Sequence, residues 1–295
     1  MSQPTDGIKR LLEARHHNPF EVLGRHPKGD KVLIRAYLPE AAEVGILCNE
    51  KVWPMERYAR SALFEWCGTD FPSDHLYTLE WRDAAGKRHC HHDPYAFSPV
   101  LNEAGLSQFS HGQHYRAYQM LGAHLCTHQG VDGVCFAVWV PYAERVSVVG
   151  DFNHWNGRCH PMRNRGSSGV WELFIPELPA GSLYKFEIRD KSGDIHLKSD
   201  PYGRRFEMRP ATATIVENSA YRWQDGAWMS RRAAVDWLHS PMSIYEVHLG
   251  SWQRNSQGGF LSYHELAAGL IPHIKRLGFT HIELLPITEH PLDAS

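Results

Sequence analysis

One pattern of residues runs twice, in the same order, between Leu23 and Tyr202. Leu23-Gly24-Arg25-His26 returns as Leu121-Gly122-Ala123-His124. The stretch Arg35 to Ala41 returns as Ala137 to Ala143, each with proline in its fifth place. Leu63-Phe64-Glu65-Trp66 pairs with Val170-Trp171-Glu172-Leu173, and Leu76-Tyr77-Thr78-Leu79 with Leu183-Tyr184-Lys185-Phe186. Asp93-Pro94-Tyr95 closes the first copy and Asp200-Pro201-Tyr202 the second. The offset grows from 98 residues between Gly24 and Gly122 to 102 between Pro39 and Pro141 and 107 between Asp93 and Asp200. Loop insertions between two copies of one fold produce such slow growth; chance matches do not stay in order.

The repeated segments are short β-rich runs separated by Gly, Pro, Asn and Asp turns, the pattern of antiparallel sandwiches. The fold class they predict is mainly β, with two tandem immunoglobulin-like β-sandwich modules at residues 18–113 and 114–226. Val134 to Val140 carries apolar residues on both faces, which suits a strand covered on both sides. Pro39 and Pro141 each close a strand, since proline donates nothing to a ladder. Ahead of the modules, residues 1–17 predict a helix with Ile8, Leu11 and Leu12 on one face, ended by Asn18-Pro19. Residues 227–241 read as a linker pinned by tryptophans.

Residues 242–295 change period. Ser243 to Gly250 and Thr280 to Pro286 read as strands, with a helical stripe of Leu266, Leu270, Ile271, Ile274 and Leu277 between them. Ser262-Tyr263-His264-Glu265 is a capping box, Gly278 a stop, and Pro272 a source of a kink. Strand, helix and strand make a βαβ unit, which cannot cover its own faces. The expectation is the incomplete start, about two βα units, of a (β/α)8 barrel. Such barrels need about 250 residues, so the rest would lie beyond Ser295. Ligands of parallel sheets sit at the carboxyl ends of strands, which makes His248, Glu289 and His290 candidate cleft residues. Glu246 and Glu283 lie inside strands and read as structural.

Composition narrows the function. The net charge of −2 carries no signature of a nucleic-acid partner. No apolar run approaches the roughly 20 residues of a membrane helix, and the N-terminus has no signal-peptide pattern. The six scattered cysteines read as free thiols of a cytoplasmic chain. His89-Cys90-His91-His92-Asp93 resembles a metal cluster, but ligands so close together rarely wrap a tetrahedral ion, so it reads as a polar segment without metal. The chain has 10 Trp, 12 Tyr and 12 Phe. Aromatics at turns suit flat ligands such as sugar rings. Gly150-Asp151-Phe152-Asn153-His154-Trp155-Asn156 is the outstanding turn, with Trp155 a candidate stacking platform and Asn153 and Lys185 candidate hydrogen-bonding partners. The bland alternative buries Trp155 against a neighbour.

Several strings together carry a family resemblance. Ile244 to Trp252, Leu261 to Leu266 and Gly278 to Pro291 resemble the start of the catalytic barrel in bacterial 1,4-α-glucan (glycogen) branching enzymes of the α-amylase family. Val146 to Gly157, Trp171 to Pro176 and Leu197 to Tyr202 resemble the starch- and glycogen-binding module that precedes that barrel. The resemblance covers the whole chain. It implies an α-glucan partner, no cofactor, a monomeric full-length protein and a retaining mechanism. In that mechanism a carboxylate attacks the anomeric carbon, a second carboxyl protonates the leaving oxygen, and a 6-hydroxyl replaces water as acceptor. It places all three catalytic carboxylates beyond the second barrel strand, so no residue of this chain is expected to be catalytic. A chain of this length is expected not to branch glucan alone. The alternatives are a glucan-binding module without catalysis and a debranching or trehalose-releasing relative.

Overall fold

The structure, a computed structural model, describes residues 5–72, 75–208 and 210–288. It divides into one compact unit reaching Asn218 and a second beginning at Ser219. The division falls ahead of the expected boundary at residue 226.

The repeat is visible strand by strand. The first copy contains β1 (Gly24–Lys28), β2 (Lys31–Tyr37), β3 (Ala41–Cys48), β4 (Lys51–Pro54), β5 (Glu56–Arg57), β6 (Leu63–Gly68), β7 (Thr78–Asp83) and β8 (Arg88–His92). The second contains β9 (Gly122–His128), β10 (Val131–Trp139), β11 (Arg145–Gly150), β12 (Arg163–Asn164), β13 (Val170–Pro176), β14 (Leu183–Arg189), β15 (Ile195–Lys198) and β16 (Thr214–Ile215). One sheet of the first copy is ordered β1-β2-β6-β5 and its counterpart β9-β10-β13-β12. The other sheets are β4-β3-β7-β8 and β11-β14-β15, with β16 also on β14. All these pairings are antiparallel.

The matched motifs do matching work. Tyr77 Oη donates to Asp93 Oδ2 at 2.7 Å, and Tyr184 Oη donates to Asp200 Oδ2 at 2.6 Å. The other carboxylate oxygen accepts the amide of Tyr95 at 3.0 Å and of Tyr202 at 2.8 Å. Each buried aspartate is thereby satisfied, as burial demands. His26 and His124 each place Nε2 2.9 Å from the carbonyl of the leucine three residues before.

Alternate residues of the strands fill the cores. Ile34, Ala36, Val44, Ile46, Phe64 and Leu79 pack in the first copy, and Val134, Phe136, Val146, Val148, Leu173 and Phe186 in the second. The second core also takes in Tyr37, Leu63 and Tyr95 of the first copy and Ile8 and Leu11 of helix α1 (Asp6–Leu12). The modules therefore share apolar surface instead of folding as separate beads. Helix α1 ends short of the expected residue 17, because Ala14 turns to φ 54° and ends it before His16.

Strand β10 is covered on both faces. Its outer residues Cys135 and Ala137 lie under the segment that joins the copies, which contains helix α2 (Glu103–Ser110). Buried Glu172 on β13 fastens that segment by accepting the amides of Val100 and Leu101 at 3.1 and 3.2 Å, with Arg165 as its cation at 2.6 Å. The histidine-rich segment is β8, where His89 stacks on Trp81, His91 accepts from Trp81 Nε1, and His92 meets Glu177. The described residues hold no group of three or more His, Cys, Asp or Glu placed to bind a metal.

In the second unit the expected linker contains a helix, α3 (Gly226–Ala233). Beyond it come β17 (Ile244–Val247), the single-turn α4 (Leu249–Trp252), α5 (Tyr263–Leu277) and β18 (His281–Leu284). β17 and β18 pair in parallel, Ile244 opposite His281, so the βαβ unit is present. The capping box forms, with Glu265 N–H donating to Ser262 Oγ and the Ser262 amide to Glu265 Oε2. Gly278 closes α5 at φ 82°, and the helix runs on through Pro272.

Candidate glucan-binding loop

The first copy follows β3 with a tight hairpin through Asn49 and Glu50 into β4. The second copy has no such strand. In its place β11 ends at Gly150, and the loop Asp151–Trp155 begins with a single 3-10 turn. Gly150 is required there, because a Cβ would stand 2.1 Å from the Leu183 carbonyl oxygen. Gly150→Ala must push β11 from β14, and urea denaturation should show a loss of about 1–3 kcal/mol.

Asn153 organises this loop from inside. It is only 5% exposed. Its Oδ1 accepts the Gly150 amide at 2.9 Å, and its Nδ2 donates to the Val148 carbonyl at 2.9 Å and to His160 Nδ1 at 2.8 Å. Asn153, expected to touch sugar, is buried and its amide is engaged within the loop, where it acts as a positioning residue. His160 is a partner that sequence reasoning missed. Burial pushes its imidazole down to about 3, which keeps it neutral and leaves Nδ1 free to accept.

The chain then takes two successive left-handed residues, His154 at φ 53° and Trp155 at φ 58°. That conformation costs about 1–2 kcal/mol per non-glycine residue, and strain of this kind gathers at functional segments. It is held by Trp155 N–H to the Gly150 carbonyl at 2.9 Å. The indole, half-buried, is fixed in turn by Nε1 donating to Asp151 Oδ1 at 2.9 Å. Asp151, four residues before the tryptophan, was legible as a partner only by that spacing.

Lys185 lies opposite Val149 on β14, one position from the Gly150–Tyr184 pair at which the loop departs. The structure thus brings Lys185 to the same strand end as Trp155. Lys185 Nζ donates to Thr212 Oγ1 at 2.6 Å, which orients the ammonium in advance. The far end of the loop is tied by Arg145, which pairs with Glu187, donates to Ser147 Oγ at 2.6 Å and bonds the Gly157 carbonyl. The resulting arrangement is an indole fixed on a stiff loop, with Lys185 on the strand that pairs with β11. It is suited to stacking and hydrogen bonding, and no acid–base pair accompanies it.

The equivalent place in the first copy offers no such face. Trp53 on β4 is 6% exposed. Its Nε1 donates to Asp70 Oδ2 at 3.2 Å, beneath the Lys51 ammonium.

In the second unit His248 is exposed at the carboxyl end of β17, with Nδ1 2.9 Å from Ser251 Oγ of α4. Glu289 and His290 lie outside the described residues. Glu246 and Glu283 stand opposite each other on β17 and β18.

Residues 4–95 match the family described as alpha-1,4-glucan branching enzyme GlgB, N-terminal domain, and residues 120–203 match carbohydrate-binding module 48 (isoamylase N-terminal domain). The chain is 52% identical over 298 aligned residues to a protein of Methylococcus capsulatus named 1,4-alpha-glucan branching enzyme GlgB, covering 100% of this chain and 40% of that one. Proteins of the same name from Nitrosococcus oceani and Cellvibrio japonicus are each 51% identical, across 99% and 98% of this chain and 39% and 40% of theirs. The chain spans about two fifths of the length of these relatives. The crystal structure of ligand-free PulA from Klebsiella pneumoniae overlays at a TM-score of 0.43 with 18% identity, over 87% of this chain and 28% of that one, too loosely to add to the sequence matches.

Proposed function

The chain belongs to the 1,4-alpha-glucan branching enzyme GlgB family, whose N-terminal portion it matches along its length, and from this we propose that it grips α-glucan for a branching reaction. In that reaction an α-1,4 link is cleaved through a glycosyl-enzyme, and the chain is passed to a 6-hydroxyl to make an α-1,6 branch in glycogen. The protein works in the cytoplasm as a monomer, without cofactor or metal. No helix among the described residues is long and apolar enough to cross a membrane.

The observation that carries this reading is the Trp155 platform. A half-buried indole, locked by Asp151 and standing at the same strand end as Lys185, is what stacking on a sugar face requires. The two sandwiches are immunoglobulin-like modules, of which only the second carries the platform. The βαβ unit is the opening of the (β/α)8 barrel. Ile244, Ile282, Leu284 and Leu285 are 48%, 40%, 41% and 39% exposed, surface that further barrel strands and helices would cover. Glu246 and Glu283, side by side on neighbouring strands, await a cation from that remainder. His248 lines the cleft at its rim, and the catalytic carboxylates belong to later strands.

Iodine staining of amylose tests the reading. The 295-residue chain leaves the absorbance unchanged, and the same chain fused to the remainder of the Methylococcus capsulatus relative lowers it. Turnover by the short chain, or a folded fusion without branching activity, contradicts it. A glucan-binding role without chemistry is the second reading for these residues taken alone, because the platform is complete within the first unit.

A further inference from the structure

A cavity of about 310 Å³ lies inside the first unit, between the two sandwich copies. Its volume is at the lower end of the range for small-molecule sites. One wall is the strap Leu38-Pro39-Glu40 that follows β2, another is Trp81 and His91 of β7 and β8, and the third is the inner side of the Gly150 loop with Phe152 and His160.

Of the four histidines that line the chamber, His91 and His160 each have one ring nitrogen already engaged. Trp81 Nε1 can only donate, and it donates to His91 Nε2 at 3.2 Å. That leaves the His91 proton on Nδ1. Asn153 Nδ2, whose identity is fixed by its bond to the Val148 carbonyl, donates to His160 Nδ1. That leaves the His160 proton on Nε2. Both imidazoles are held neutral by burial. Two lining imidazoles of fixed tautomer are therefore each left with one N–H donor, their other nitrogen being already occupied.

The remaining lining selects the ligand class. It contains no lysine or arginine, and it includes the carboxylates of Glu40, Asp151 and Asp93, the last already bonded by Tyr77 and the Tyr95 amide, so an anion is disfavoured. Two N–H donors disfavour a cation. Leu38, Pro39 and Phe152 supply apolar surface, and Trp81, although stacked on His89 at 4.0 Å, contributes an aromatic edge. A neutral ring with apolar C–H faces and several hydroxyls matches this set: hydroxyl oxygens accept from the imidazoles, and hydroxyl protons donate to the carboxylates.

We propose that this chamber is a second saccharide site, distinct from the Trp155 platform, which takes a neutral mono- or disaccharide. Trp155 is not among its lining residues, although Asp151, which holds the indole, is. His154, which follows Phe152 and Asn153, reaches across to Glu40 at 3.5 Å and borders the entrance.

The test is a maltose titration of the ¹⁵N-labelled chain at pH 7.5, following the imidazole resonances of His91 and His160. Saturable shifts are expected in the parent chain and equally in Trp155→Ala. Leu38→Trp, which fills the chamber, should abolish them, with circular dichroism confirming the fold. His91→Phe, a second variant that removes one donor, should weaken binding about tenfold, equivalent to one lost hydrogen bond. Resonances that stay still under excess maltose in the parent chain overturn the proposal. So do shifts that vanish in Trp155→Ala, or that persist unchanged in both Leu38→Trp and His91→Phe.

Discussion

Glu187→Ala destabilises the first unit by about 3–5 kcal/mol, the cost of leaving a buried charge without its partner. Arg145 is 2% exposed and Glu187 14% exposed. The same guanidinium donates to Ser147 Oγ at 2.6 Å and bonds the Gly157 carbonyl, so the cation stays buried when its carboxylate is removed. The pair itself is worth far less than its disruption costs, because desolvation offsets most of the attraction. Arg145→Met combined with Glu187→Leu should therefore recover most of the loss in urea denaturation. The double variant differs from the parent in function: it no longer ties the end of the Trp155 loop and should bind glycogen more weakly at near-parental stability. A Glu187→Ala chain as stable as the parent contradicts this account of the loop's anchor.

The second large effect is a pH dependence with opposing contributions. The His160 imidazole, ordinarily near 6.5, is pushed down to about 3 by burial. A histidine depressed in the folded state stabilises fully above its unfolded value and loses that contribution as pH falls below about 6.5. At pH 5 the loss is about 1–2 kcal/mol. The structural cause is visible, since a proton on Nδ1 would meet the Asn153 amide that now donates to it. Asp93 acts in the other direction. Burial raises its carboxyl to about 6 despite the bonds from Tyr77 and the Tyr95 amide. Its contribution is complete below about 3.8 and disappears as pH rises through about 6, so acid favours the fold at this residue. Urea midpoints at pH 7.5 and pH 5 separate the two. His160→Gln should lose about 1–2 kcal/mol less than the parent on acidification, and Asp93→Asn should lose about 1 kcal/mol more. Equal pH sensitivity in the parent and His160→Gln contradicts the assignment.

What the sequence showed, and what it hid, follows from the range of the interactions. The duplication was legible because each copy spends the same short motifs on the same contacts, such as Tyr77 with Asp93 and Tyr184 with Asp200. The capping box at Ser262 was legible because all its atoms lie within one turn. Lys185 and Trp155 were legible as a pair of chemistries, although their shared strand end depends on the register of β11 and β14. The role of Asn153 was not, because its partners Val148 and His160 flank the loop and leave no spacing signal. The shared core was equally hidden: Tyr95 of the first copy donates to the Pro161 carbonyl, 66 positions away, and no local period announces such a contact. The early end of α1 depends on one left-handed alanine, a conformation that composition does not encode.

Affinity electrophoresis in glycogen-containing gels tests the central claim, that the loop from Gly150 to Trp155 is the chain's main grip on α-glucan. The parent chain should be retarded relative to a glycogen-free gel, and Trp155→Ala should lose most of that retardation while keeping its melting temperature. Retardation undiminished in a folded Trp155→Ala chain would contradict the claim and place the glucan contact elsewhere.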